Sequence, residues 1–264
     1  MKVLIKLGGT LVDSPDLRAS LAAQIAGQAA HTELTIVHGG GKQMTRYLTE
    51  HGIESRFVGG LRVTTPEIMD AVLKVFAGTV NQELVAAMVA AGTRAVGLTG
   101  MDANLVEAEP MDPQLGLVGR VMRTNPELLD TLIARGYLPV VACVAGDRSG
   151  RMYNVNADQM AAACAAGWHA DQLIFLTDIA GVLDGAGHVQ SSLTPRDCEA
   201  LIAAGIATGG MQAKLTAATA ALAQGIEEVL IAPGAAPQIL ASLFAREQVG
   251  TRVVRAAQRV TSHD

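Results

Sequence analysis

The stretch "LTIVHGGGKQMTRYLTE" occupies residues 34–50. An apolar, β-branched run ends in Gly39-Gly40-Gly41, and a helix-like run follows. The spacing predicts a strand, a tight turn and a helix. In such a unit, backbone N–H groups and the positive end of the helix dipole face the turn, and glycine lets a ligand come close. The stretch is therefore competent to hold an anion. It fits neither of the familiar nucleotide patterns. A Walker loop needs G-x-x-x-x-G-K-[ST], but Ile36 stands at its first glycine and Gln43 follows Lys42. A dinucleotide fingerprint needs glycine at position 44, which is Met44. The plainer alternative is a βα turn that is merely tight.

Two further glycine pairs widen the argument. "KLGG" (6–9) puts Lys6 just before Gly8-Gly9, and "GGMQAK" (209–214) puts Lys214 just after Gly209-Gly210. Backbone N–H groups and ammonium ions are what a phosphoryl group in transfer needs, because charge spreads over its equatorial oxygens. The chain has five lysines (Lys2, Lys6, Lys42, Lys74, Lys214) among twenty basic residues, so arginine is its default cation. Lys6 stands between Ile5 and Leu7, where a charge is costly without a partner. Read blandly, Lys6 is an edge-strand charge reaching water and Lys214 the polar face of a helix.

Outward from these loops the chain alternates. Residues 2–7, 34–38, 94–98, 138–142, 172–177, 228–232 and 251–254 are short, nearly continuous apolar runs, as expected of strands buried on both faces. Between them, Ser14-Pro15, Thr65-Pro66, Asn125-Pro126 and Thr194-Pro195 each read as an N-cap followed by proline at the first helical position. The pattern predicts a three-layer αβα sandwich with a mostly parallel central sheet. Residues 54–64 and 104–122 break the alternation and read as hairpins. A lobe boundary is expected near residue 167. The tail 256–264 carries no packing signal.

Composition excludes several classes. The net charge of −5 and scattered arginines give no basic footprint for nucleic acid or acidic lipid. Cys143, Cys164 and Cys198 are odd in number and form no CxxC, which suits reduced thiols in a cytoplasmic protein. No apolar run reaches about 18–20 residues, so no membrane-spanning helix is expected. "MKVLIKLGGT" lacks the pattern of a signal peptide.

With "KLGG" (6–9), "VHGGGK" (37–42), "GLRVT" (60–64), "GTVN" (78–81), "GYLPVV" (136–141), "NVNADQ" (154–159), "LTDIAGVLDGAG" (176–187) and "GGMQAK" (209–214) in this order, the chain resembles the N-acetylglutamate kinases of the amino-acid kinase superfamily. The resemblance runs from Lys2 to about Val254. "GLRVT" and "NVNAD" favour the acetylglutamate branch. It implies the amino-acid kinase fold, with residues 1–167 as the acceptor and dimerisation lobe and 168–264 as the nucleotide lobe. It implies transfer of the ATP γ-phosphoryl group to a side-chain carboxylate, in arginine biosynthesis. Such a carboxylate, with a pKa near ~4.3, is already ionised at neutral pH and needs no general base. His38 fits that view as a strand-end residue bonded to backbone.

Residue by residue, Lys6 and Lys214 match the lysines that stabilise the transferring group, and Asp158 matches the aspartate that holds both. Gly8 and Gly9 match the ATP-phosphate loop. Gly40 and Gly41 match the loop that holds the reacting carboxylate. Arg62 and Asn154 match the acceptor ligands. Thr177, Asp178, Ile179, Ala180, Gly181, Val182 and Leu183, with Ile206, Ala207, Thr208, Gly209 and Gly210, match the nucleotide pocket. ATP is the implied cosubstrate, with Mg2+ held mainly by its phosphates and no protein metal site. Two departures lie in regions that could shape the acceptor pocket: Met101 and Ala103 in "LTGMDAN" (98–104), and the absence of proline from "ACVAG" (142–146).

Two other readings compete. One is a kinase for aminoadipate or glutamate carried on an acidic protein, which would need a basic surface. The other is a non-catalytic amino-acid or nucleotide sensor, which would be expected to lose one of Lys6, Asp158 and Lys214. In the resembled family, arginine-inhibited members carry a helix before the first strand that builds a hexamer. Here the first strand starts at residue 2, so the expectation is a homodimer insensitive to arginine.

Overall fold

The alternation is the architecture of the computed structural model, which describes residues 1–255; the tail 256–264 lies outside the described residues. Strand β1 (Lys2–Leu7) passes through Gly8 into the short helix α1 (Gly9–Asp13), and α2 (Pro15–Ala29) returns the chain to β2 (Glu33–His38). Helix α3 (Gly41–Glu50) starts on the last of the three glycines. A hairpin of β3 (Phe57–Val58) and β4 (Leu61–Arg62) precedes α4 (Pro66–Val72), a π-helical stretch Leu73–Val80, and α5 (Asn81–Ala90). Then come β5 (Ala95–Thr99), β6 (Val106–Pro110), β7 (Gly119–Thr124), α6 (Glu127–Ala134) and β8 (Leu138–Ala142). The short strands β9 (Val144–Gly146) and β10 (Met152–Asn154) lead into α7 (Ala157–Gly167). The remainder is β11 (Gln172–Thr177), β12 (Ser192–Leu193), α8 (Pro195–Ala203), α9 (Gly209–Ala223), β13 (Glu228–Pro233), α10 (Ile239–Phe244) and β14 (Thr251–Val254).

The helix starts follow the predicted chemistry in three of four cases. The Ser14 hydroxyl accepts from Leu17 N–H, and Thr65 from Ile68 N–H. Thr194 and Asp197 form a reciprocal capping box. Such caps contribute on the order of 1 kcal/mol each. At Asn125-Pro126 the helix begins one residue later, with Pro126 itself at the cap and Asn125 Oδ1 accepting from Glu127 N–H.

Eight strands form the main sheet in the order β12-β14-β13-β11-β1-β2-β8-β5. All its neighbours pair in parallel except β13 and β14. The seven expected strands all lie in this sheet. Residues 104–122 supply most of the antiparallel β6–β7 pair of a second, four-stranded sheet, and residues 57–62 form the β3–β4 hairpin. Helices cover the main sheet in groups, with α7 against α9 and α9 against α8, and α2 against α5 and α10. Residues from both sides of position 167 share one continuous core of Val, Leu, Ile and Ala. The core strands β1, β2, β8 and β11 are buried over nearly their whole length, as parallel strands between helical layers must be.

Helices α4 and α5, joined by the π-helical stretch, make a single helix of 25 residues, long and apolar enough by length and composition to cross a membrane. Charged residues interrupt its apolar runs in the sequence, which is why it escaped notice there. In the fold it is a core helix: Ile68, Met69, Val72, Val75, Phe76, Val80, Leu84 and Met88 are buried. Its outer face carries ion pairs, including Arg18 with Glu83.

Candidate active site

A cleft of about 760 Å³ opens where β1, β2 and β11 end. Open α/β sheets bind ligands at the carboxyl ends of strands, where the chain leaves in opposite directions from neighbouring strands. Here the chain goes from β1 to β2 on one side and returns through α7 to β11 on the other. The cleft wall gathers Lys6, Gly8, Gly9, Gly40, Gly41, Arg62, Asn154, Thr177, Asp178 and Lys214 from the sequence-predicted set. These come from positions more than 200 residues apart.

The charged centre is a three-residue group, buried at Lys6 and Asp158 and half-buried at Lys214. Lys6 points from β1 and its Nζ lies 2.7 Å from Asp158 Oδ1. Lys214, on α9, places Nζ 3.3 Å from Asp158 Oδ2. Lys6 and Asp158 are each about 95 % buried, so the bland reading of Lys6 as a solvent-reaching edge charge fails: β1 lies in the middle of the sheet. Asp158 sits in the first turn of α7, capped by Asn156, whose Oδ1 accepts from the N–H groups of Asp158 and Gln159. Burial pushes the Asp158 carboxyl up. The charges and hydrogen bonds of Lys6 and Lys214 outweigh burial, and the pKa ends below the ordinary value. Asp158 therefore stays ionised and clamps both ammonium groups.

At the other end of the cleft, Arg62 is nine-tenths buried, with Nη1 donating to Ser55 Oγ at 2.6 Å and Nη2 to Thr45 Oγ1 at 2.8 Å. Its guanidinium lies 4.6 Å from the Phe57 ring centre. Burial lowers its pKa, but an arginine remains protonated. Among the described residues no carboxylate pairs with it. Asn154 Nδ2 donates to Thr64 Oγ1 at 3.0 Å.

The glycine loops divide their work in a way the sequence did not reveal. A Cβ on Gly40 would stand 2.9 Å from Phe76 Cδ1 and 3.0 Å from Val80 Cγ2. Both side chains come from the π-helical stretch. The nearest thing to the Gly40 backbone is thus the protein's own core helix, while Gly41 has open space beside it. A Cβ on Gly9 would lie 3.3 Å from Gly41 N, so the two loops meet there. His38 is fully buried and neutral: Nε2 accepts from Asn81, which starts α5, and Nδ1 donates to Gly39 O at 2.8 Å. Burial lowers its pKa to about 4.

On the β11 side, Thr10 donates to Asp178 Oδ2 and Thr177 to Asp178 Oδ1. These hydroxyls, Thr10 first, hold the Asp178 carboxyl below its ordinary pKa. The other candidates around residues 179–183 and 206–210 are not on this wall. Val182 and Ala207 are buried in the core, while Ile179, Leu183 and Ile206 form exposed apolar surface nearby. Of the departing positions, Cys143 lines the cleft; its thiol is pushed by burial up to about 12 and is inert. Met101 packs against Gly146 instead, away from the cleft wall. The cleft wall also includes Thr10, Lys42, Thr45 and Asn156, which sequence reading had not singled out as site residues. Lys42 alone had been noticed, as part of the glycine loop. Among the described residues no group of three or more His, Cys, Asp or Glu is arranged to hold a metal ion.

A family model described as the amino acid kinase family matches residues 1–233. The chain belongs to the amino acid kinase family. An acetylglutamate kinase of Solibacter usitatus is 63% identical over 257 residues, covering 97% of this chain and 100% of that one. An acetylglutamate kinase of Koribacter versatilis is 42% identical, over 92% and 95% of the two chains. Among solved structures, an N-acetylglutamate synthase of Neisseria gonorrhoeae in complex with coenzyme A and N-acetyl-glutamate superposes with a TM-score of 0.85 at 25% identity. The match covers 96% of this chain and 59% of the synthase, so this chain spans about three fifths of that protein. An isopentenyl phosphate kinase, at 20% identity and a TM-score of 0.66, shares the fold.

Proposed function

We propose that this amino acid kinase transfers the γ-phosphoryl group of ATP to the side-chain carboxylate of N-acetyl-L-glutamate, giving an acyl phosphate, in arginine biosynthesis. The observation that carries it is the Lys6–Asp158–Lys214 group at one end of a cleft whose other end holds Arg62, a cation with no carboxylate partner among the described residues. The full-length similarity to acetylglutamate kinases supports the same reading.

In the step, a carboxylate oxygen attacks the γ-phosphorus. The bond to the β–γ bridging oxygen breaks, and ADP leaves with the electron pair. No proton moves, so no base is needed, and His38 beside the glycine loop is sealed in the core. Catalysis is then alignment and charge neutralisation. Asp158 holds the two ammonium groups for the transferring oxygens. The N–H groups at Gly9 and Gly41 are left for the phosphates and the reacting carboxylate, while that of Gly8 is spent on Leu176 O and ties the loop to β11. Arg62 uses two of its five N–H donors on Ser55 and Thr45, which leaves others to grip the α-carboxylate. Asn154 Oδ1 remains for the acetamido N–H. The segments Thr177 to Leu183 and Ile206 to Gly210 bind the nucleotide, with Ile179, Leu183 and Ile206 as apolar surface for the base and the buried Val182 and Ala207 anchoring the two segments in the core.

A magnesium ion bound with ATP neutralises phosphate charge. The site suits one held mainly by the nucleotide: both Asp158 oxygens face lysines, and Asp178 is engaged by Thr10 and Thr177. Residues 1–167 serve the acceptor and a dimer contact, and 168–264 the nucleotide. Three buried free thiols suit a cytoplasmic setting, and a homodimer is the assembly that the resemblance implies.

Trapping the acyl phosphate with hydroxylamine, across acetylglutamate, glutamate and aminoadipate, tests the proposal. Hydroxamate is expected with acetylglutamate. Folded protein that makes none, or makes it only from another acceptor, would refute it.

A further inference from the structure

Four of the five lysines have carboxylate partners: Lys2 with Asp130, Lys6 and Lys214 with Asp158, and Lys74 with Asp70. Lys42 has no ion pair among the described residues, although acidic residues outnumber basic ones by 25 to 20. It is also on the cleft wall. The next cation on its helix, Arg46, is taken up by Asp13, and Arg62 is engaged with Ser55 and Thr45. Lys42 lies in the first turn of α3, where the helix dipole opposes a positive charge. An unpaired cation in that position is unfavourable in the free protein and favourable once an anion occupies the cleft.

Its backbone lies at a junction. A Cβ on Gly9 would touch Gly41 N at 3.3 Å and Lys42 N at 3.9 Å. Lys42 thus stands where the two glycine loops meet, between the loop after Lys6 and the acceptor-side loop. Besides the charge that a nucleotide-bound magnesium ion would bring, the protein's own side chains supply little net positive charge there without it. Lys6 and Lys214 against Asp158 leave one net positive charge, two minus one. A terminal phosphoryl group brings about two negative charges, and the incoming carboxylate one more.

We propose that Lys42 is a third ammonium group on the transferring phosphoryl, a catalytic residue beyond the Lys6–Asp158–Lys214 group. The assignment rests on the kinase reading above. Lys42 enters from the acceptor-side loop, whereas Lys6 and Lys214 enter from β1 and α9. It neutralises the repulsion between the phosphoryl oxygens and the carboxylate as that carboxylate approaches, and takes no part in proton transfer.

Lys42→Met removes the charge and keeps the length; Lys42→Arg keeps the charge. In Lys42→Met, kcat is expected to fall by about 10- to 100-fold, with the KM for acetylglutamate changing by less than about threefold. Lys42→Arg recovers most of the loss. Calorimetric titration, which needs no acceptor, gives a second reading. ATP binding is expected to weaken by about tenfold or more in Lys42→Met, and ADP binding by less than about threefold. The ligand-free variant should melt no lower than the parent, because an opposed charge has gone. Equal effects on ATP and ADP, or unchanged binding of both, would overturn the assignment. So would a rise confined to the KM for acetylglutamate. Because the ATP-against-ADP comparison is independent of the acceptor, failure of the parent to make hydroxamate would sink only the choice of acceptor.

Discussion

Gly40→Ala isolates the reason for the glycine in the middle of the loop. The new methyl would stand 2.9 Å from Phe76 Cδ1, 3.1 Å from its Cε1 and 3.0 Å from Val80 Cγ2. Carbon atoms prefer about 3.5–4.0 Å, so either the ring or the loop must shift by more than half an ångström. Both neighbours are buried and belong to the long core helix, which cannot yield freely. Overpacking of this kind costs about 1–3 kcal/mol. For a domain of this size that is roughly 2–4 °C of Tm for each kcal/mol. Urea unfolding of the ligand-free protein measures it. A double-mutant cycle with Phe76→Leu then decides the cause: removing the ring should relieve at least about 1 kcal/mol of the Gly40→Ala penalty. If Gly40→Ala left ligand-free stability intact and abolished turnover, ligand approach rather than packing would explain the glycine, and the reasoning would be wrong.

Asp158→Asn leaves Lys6 buried and Lys214 half-buried without a counter-charge; it is expected to cost about 3–5 kcal/mol of stability, chiefly through Lys6, and to lower turnover by orders of magnitude. A folded variant with near-normal turnover would remove Asp158 from its role. Arg62→Lys should raise the KM for the amino acid and leave that for ATP alone, because an ammonium cannot reproduce a two-point grip on a carboxylate; equal effects on both would place Arg62 elsewhere. His38 has a folded pKa of about 4 against an ordinary 6.5. The unfolded chain therefore binds more protons in that window, and stability, full above about pH 6.5, falls as pH drops toward 4, by up to about 3 kcal/mol. Melting curves at several pH values should show this slope flattened in His38→Gln, and an unchanged slope would contradict it.

The strands were legible wherever both faces are covered, because β1, β2, β8, β11 and β13 then have no choice but continuous apolar sequence. The short strands β9, β10 and β12 were not, since two or three residues carry no periodicity; Asn154 was picked out as a ligand with no sign that it closes a strand. The helix α1 was also hidden, because Gly8-Gly9 reads as a loop although α1 starts at Gly9. Lys6 and Lys214 could be suspected from glycines and from the rarity of lysine, but Asp158 had only its motif to mark it. No local pattern states that residues 6, 158 and 214 converge. Packing partners were least legible. Neither Phe76 against Gly40 nor Asn81 against His38 can be read from sequence, because each pair joins an ordinary helix position to a strand end some 36 to 43 residues away.

The position of β1 has a mechanical consequence. It pairs over five residues with β11 and over six with β2, in ladders without interruption, so the two halves of the molecule are stitched together through the strand that carries Lys6. A hinge between β2 and β11 would have to tear one of those ladders, whose strands are almost wholly buried. Lys6 is therefore bolted to a stiff plate, and any movement that brings phosphate and carboxylate into line has to come from parts mounted on its rim: the β3–β4 hairpin beside Arg62, the α3 terminus bearing Lys42, and the segment after Thr177.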